Sequence, residues 1–119
     1  MLPLVYIAGP YSIGDQAKNV RRAMICWHEL QDSGLVAPVC PHLSHFLHLL
    51  SPRPHEEWLQ HDEELLIRCD ALFRLPGESL GSDAEVVVAN NIPIPIFYDK
   101  SILLSWCDQW LKAHGMSIE

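Results

Sequence analysis

Residues 79–85 read S-L-G-S-D-A-E and follow an apolar run that ends in a Pro-Gly pair. A hydroxyl, a glycine and, six residues after Ser79, the carboxylate of Glu85 therefore share one short stretch. A carboxylate held near a helix start stays ionised, because the exposed backbone N–H groups there favour anions. Such a group can attack a sugar carbon and form a covalent glycosyl ester, with a second carboxyl group serving as acid and then base. The same letters carry another meaning. Ser82 at an N-cap with Glu85 three residues on is a capping box, which needs no ligand. The two readings differ in where the Glu85 side chain points.

The elements that position these residues alternate. Residues 4–8, L-V-Y-I-A, are β-rich and stop at Gly9 and Pro10; Asp15 can then cap a helix whose apolar positions Val20, Ala23, Met24, Trp27 and Leu30 recur at helical spacing up to Gly34. Residues 35–39 read as a second strand, with Pro38 marking an edge or an early end. Residues 40–54, rich in His, Pro and Ser, form a long connection with room for a helical turn or two, and 54–68 is a helix with Pro54 at its start. Residues 71–75 make the third strand, Ser79 or Ser82 opens a helix that runs through Asn90, 94–97 is a strand and 101–114 a closing helix. This alternation predicts one α/β domain over residues 1–119, a three-layer, doubly wound, flavodoxin-like sheet of four or five mostly parallel strands. Ligands of such sheets sit beyond the carboxyl ends of the strands, where the strand order reverses. The loops 8–14 and 76–85 are therefore expected to face one crevice.

At 119 residues, 49% apolar and 19% charged, the chain can bury a core without staples. Its net charge of −7 weighs against a nucleic-acid polymer, whose binding draws on Lys and Arg at phosphates, and favours a small ligand. Cys26, Cys40, Cys69 and Cys107 are widely spaced with no C-x-x-C, and the opening M-L-P-L-V-Y runs straight into a strand with no secretory signal. Reduced thiols in a cytoplasmic protein are the expectation. No apolar stretch reaches the ~18 residues needed to cross a bilayer, so no membrane role is expected.

Four stretches, in order, resemble the nucleoside 2-deoxyribosyltransferase superfamily: Y-I-A-G-P-Y-S over residues 6–12, His61 with Asp62 on the middle helix, C-D-A-L-F-R-L-P-G over 69–77, and S-x-G-x-x-x-E from Ser79 to Glu85. That superfamily includes 2′-deoxynucleoside 5′-phosphate N-hydrolases and small relatives that open with a similar Y-I-A-G-P-Y-S, and the resemblance covers roughly residues 4–98. It implies that Glu85 is the nucleophile, that Asp62 contacts the sugar hydroxyls and assists departure of the base, and that Tyr6 lies beside Glu85 and steadies it. Ser79 matches the serine that helps bind the 5′-phosphate in the hydrolases, where the transferases carry an acidic residue. The implied substrate is a nucleoside or nucleoside 5′-monophosphate, with no cofactor, in a homodimer or larger assembly.

Gly9, Pro10 and Tyr11 of the first loop and Gly81 of the second are the further candidates for substrate binding. His42, His45 and His48 would drift over about 120° on a helix, and no nearby carboxylate or thiol obviously completes a tetrahedral set, so no metal is expected. His42 and His45 suit the lining of the base pocket, or plain solvent exposure; Arg53 and His55 suit a flap over the ligand, or a solvated loop. Trp106, Trp110 and Leu103 read as core or a dimer interface, and Asp70 as the terminator of the preceding helix. The leading expectation is an N-glycosidic bond hydrolase or transferase. The alternatives are a nucleotide-binding or sensing domain without turnover, and an assembly protein in which the loop only caps a helix.

Overall fold

The computed structural model describes residues 1–115. Four strands, β1 (Leu4–Ala8), β2 (Ala37–Val39), β3 (Ala71–Arg74) and β4 (Ile96–Phe97), run parallel in the order β2-β1-β3-β4. Side chains of the central strands alternate between two cores: Val5, Ile7, Ala71 and Phe73 on one face, Tyr6, Ala8 and Leu72 on the other. A strand buried on both faces needs helices on both. The first face receives α1 (Gln16–Ser33), through Ala23, Cys26 and Leu30, and α5 (Lys100–Ala113), through Leu103 and Cys107. The second receives α3 (His55–Leu66), through Leu66, and α4 (Leu80–Asn91), through Ala89. The result is the doubly wound, flavodoxin-like α/β sheet expected from the alternation. Between β2 and β3, the long connection holds a short 3-10 turn at Pro41–Leu43 and α2 (Ser44–Leu50).

Local chemistry fixes several ends. Asp15 Oδ1 accepts from the Lys18 N–H at 3.1 Å and Gly34 closes α1 in the left-handed region at φ 72°. The strands are shorter than the apolar runs. β2 begins at Ala37, on the sheet edge that Pro38 tolerates, and β4 keeps two residues because Pro93 and Pro95 supply no N–H to a ladder. Asp99 caps α5, accepting from the Ile102 N–H at 3.1 Å. Asp70 does not terminate a helix. Its Oδ2 accepts from the Leu4 N–H and its own N–H donates to the Leu4 carbonyl, each at 2.8 Å, so it clips the start of β1 beside β3.

The strand order reverses between β1 and β3, and the loops leaving them touch. The Leu75 N–H donates to the Ala8 carbonyl at 2.7 Å. A Cβ on Gly9 would stand 3.0 Å from Leu75 Cβ, and one on Gly77, which has φ +116°, would stand 2.7 Å from Pro10 Cγ. Glycine at both points lets the two backbones meet. Among the described residues, no helix is long and apolar enough to cross a membrane.

Candidate active site

A cavity of about 710 Å³ opens at this reversal, within the range of small-ligand pockets. Of the residues singled out in the sequence, Gly9, Tyr11, His42, His45, Asp62, Ser79, Gly81 and Glu85 line it, as do Arg53 and His55. Tyr6 and Pro10 lie behind the wall, each hydrogen-bonded to a residue that lines it, Glu85 and His42 respectively.

Glu85 is placed by α4. Ser79, extended at φ −163° and ψ 111°, is the N-cap: its Oγ accepts from the Ser82 N–H at 3.1 Å and donates to Ser82 Oγ at 3.0 Å. The capping-box reading of Ser82 with Glu85 therefore fails, because the helix starts three residues earlier. Glu85 lies past the first turn, on the stripe Ser82, Glu85, Ala89 that turns toward the sheet; Ser82 and Ala89 are buried. There the fully buried Tyr6 donates its hydroxyl to Glu85 Oε2. Burial pushes the Glu85 carboxyl up to about 7; the Tyr6 hydroxyl opposes, the Asp62 charge adds and the Arg74 guanidinium opposes. Burial, then the charges of Glu85 and Asp62, hold the Tyr6 phenol far above its ordinary value, so it is a standing donor. Asp62 comes from α3; burial lifts it to about 6 against the pull of His61, and its Oδ1 is buried with no hydrogen-bond partner among the described residues.

Two positioning groups escaped the sequence reading. Arg74, buried at the end of β3, donates to the carbonyls of Leu75 and, at 2.8 Å, Gly77, and reaches Asp83 Oδ1 at 3.2 Å. It holds the 75–79 loop in shape and brings positive charge under the start of α4. The signal was one arginine inside A-L-F-R-L. Asn19 is buried in α1 and donates to the carbonyls of Tyr11 at 3.0 Å and Ile13 at 2.8 Å, fixing the first loop. Its signal was an amide directly before Val20 on the packing stripe.

His42, His45 and His48 line the cavity from the long connection after β2. His42 is buried rather than solvated: Nε2 donates to the Pro10 carbonyl at 3.0 Å, and Nδ1 has no partner among the described residues. Burial lowers its pKa despite the backbone carbonyls of Pro10 and Gly9, so the ring is neutral. The Tyr11 hydroxyl and His45 Nδ1 share a hydrogen bond at 2.8 Å. His48 Nδ1 accepts from Trp58 Nε1 at 2.9 Å and from the Arg53 N–H at 3.2 Å, tying α2 to α3. The Arg53 guanidinium turns to Glu57 at 2.8 Å. Among the described residues no three His, Cys, Asp or Glu side chains group as a metal site.

One family model matches residues 3–99, under the description Domain of unknown function (DUF7768). The comparison with curated proteins finds no match.

Proposed function

We propose that this chain, which belongs to the DUF7768 family, breaks or transfers the N-glycosidic bond of (deoxy)nucleosides or nucleoside 5′-monophosphates through a glycosyl ester on Glu85. One observation supports the reading: Tyr6 donates to one oxygen of the half-buried Glu85 carboxylate in the cavity wall, and a second half-buried carboxyl group, Asp62, lines the same cavity. The similarity of four sequence stretches to nucleoside 2-deoxyribosyltransferases points the same way.

With Tyr6 on Oε2, Oε1 of Glu85 attacks C1′. The C1′–N electron pair leaves on the base, which takes the proton of the Asp62 carboxyl. The resulting Asp62 carboxylate then removes a proton from water, whose oxygen displaces Glu85 from C1′; a second base in place of water gives transfer. Tyr6 positions the nucleophile and touches no substrate. Ser79 and Gly81 stand where the sugar and its 5′ substituent would meet the start of α4. The four buried, free cysteines suit a reducing compartment, and we place the activity in the cytoplasm. We further propose a homodimer or larger assembly, because Ile13, Leu49, Leu59 and Leu80 border the cavity yet stay exposed.

The test is to incubate the protein with a panel of nucleosides and their 5′-monophosphates and to quantify free base by chromatography. Wild type should release base, and Glu85→Gln should not. Tight binding of the panel with no base released would replace this reading with a nucleotide-binding domain.

A further inference from the structure

We infer that α2 is a pH-sensitive lid on the cavity: a neutral His48 latches it shut, and a proton on that imidazole releases it. The inference concerns access to the cavity and holds whatever reaction takes place inside.

No residue of α2 is buried, so no core side chain anchors the helix. Its residues sort into two sides at helical spacing: Ser44, His45, His48 and Leu49 line the cavity, whereas Phe46, Leu47 and Leu50 lie on the other side, exposed. Just before α2 the chain is fixed, because His42 is buried and bonded to the Pro10 carbonyl. Just after it, residues 51–54 lead into α3. Between these anchors, among the described residues, two imidazoles make the hydrogen bonds that tie α2 side chains to other elements: His45 to the Tyr11 hydroxyl, and His48 to residues 53 and 58.

The two ties respond differently to a proton. His48 Nδ1 faces the Trp58 indole N–H at 2.9 Å and the Arg53 backbone N–H at 3.2 Å, and both groups only donate. Nδ1 therefore holds a lone pair, and the ring hydrogen sits on Nε2. A proton taken up from water at Nδ1 sets one N–H against two others, and both bonds break. The Tyr11 hydroxyl, by contrast, both donates and accepts, so its 2.8 Å bond with His45 Nδ1 survives protonation in one direction or the other.

The surrounding charges leave His48 as the switch. From α3, Glu57 holds the Arg53 guanidinium at 2.8 Å, His61 meets the Trp58 ring with centroids 6.4 Å apart, and His55 and Asp62 line the same cavity. Arginine keeps its charge throughout, and among the described residues neither His55 nor His61 has a hydrogen bond to α2 to lose. Histidine is the side chain that ordinarily changes charge between pH 5 and 8. Asp62 and Glu85, raised to about 6 and about 7, also take up protons over that range, so the decisive variant is one in which His48 alone ceases to titrate.

The test is NMR of ¹⁵N-labelled protein at pH 8 and pH 5, the limits between which histidines titrate. Trp58 Nε1–H and the Arg53 N–H report the latch, and the amides of residues 48–51 report the helix. At pH 8 the His48 Nδ1 resonance should be of the unprotonated type. On going to pH 5 it should become protonated, and the two reporter signals should move to higher field with the same midpoint. Protection of the 48–51 amides, corrected for the intrinsic pH dependence of exchange, should fall about tenfold or more as two hydrogen bonds are lost. In His48→Asn, whose Oδ1 takes the place of Nδ1 and does not titrate, reporters and protection should hold at both values. Should that variant not fold, the shared midpoint in the native protein decides. Four results each overturn the inference: a His48 ring still neutral at pH 5, reporters that ignore its protonation, α2 amides equally protected at both values, or a response that persists in His48→Asn. None of these readouts depends on base release, so the glycosidase reading stands or falls separately.

Discussion

Glu85 and Asp62 are lifted to about 7 and about 6 chiefly by burial, so between those values the pair holds a single proton. The higher value belongs to Glu85, so the proton rests mostly there; the proposed chemistry runs through the minor one-proton form, with Glu85 ionised and Asp62 protonated, whose share of the protein rises and falls over the same window. Base release should therefore peak between pH 6 and 7. Below the window both groups are protonated and the nucleophile is lost; above it both are ionised and the acid is lost. Initial rates across pH 4–10 check this, and a rate that stays flat into alkaline pH would contradict it. The same burial affects stability. A carboxyl group whose folded pKa is raised contributes most below its unfolded value, near 4.5 for Glu85, and that contribution is lost as pH rises through about 7. Glu85→Gln carries no charge, and its amide oxygen can still accept from Tyr6. It should be more stable than wild type at pH 8 by about 1–3 kcal/mol and nearly equal to it at pH 5, while base release falls about 10³-fold or more. Urea unfolding at the two pH values measures the first effect.

The elements hold the site through the contact between the loops after β1 and β3. Gly77→Ala forces a side chain into φ +116° and within 2.7 Å of Pro10 Cγ. It should cost about 1–3 kcal/mol in thermal unfolding, and ligand affinity should fall with it because Pro10 orients His42. A variant as stable as wild type would show that the loops accommodate one another. What could be read from the sequence follows from how far each interaction reaches. Asp15 and Gly34 bound α1 as their types suggest, because a cap satisfies groups three residues away. The start of α4 was ambiguous between Ser79 and Ser82, because the decision depends on burial of Ser82 against the sheet and on the hold of Tyr6, 79 residues distant, on Glu85. Asp70 was misread for the same reason: its partner, Leu4, is 66 residues away. Tyr6, Asp62, Ser79 and Glu85 were legible as candidates because residue type and motif order single them out. Arg74 and Asn19 were not, since all the partners of Asn19 and two of the three of Arg74 are backbone carbonyls, which leave no mark in residue types.

For the whole molecule, the surplus apolar surface is not where the sequence placed it. On α5, Trp106 packs against Phe97, centroids 5.5 Å apart, and Trp110 stacks on His114 at 3.8 Å, so that face is partly covered within the chain. On α2 no residue is buried, and Phe46, Leu47, Leu49 and Leu50 are exposed. A contiguous apolar face of this kind calls for a partner surface, and light scattering at micromolar concentration should give at least twice the chain mass. Leu50→Lys, at a position 89% exposed, should shift the population toward monomer and leave the unfolding midpoint extrapolated to low concentration unchanged. A wild-type monomer would refute the assembly. The cysteines divide between the two cores, Cys26, Cys40 and Cys107 on one side of the sheet and Cys69 on the other, and burial keeps their thiols protonated, with values pushed up to about 12, 11, 11 and 12 in that order. Each can be alkylated only while its own layer is open. The molecule thus carries a built-in clock for its breathing: the modification rate of Cys69 against those of Cys26 and Cys107, followed by mass spectrometry, tells which face of the sheet parts first.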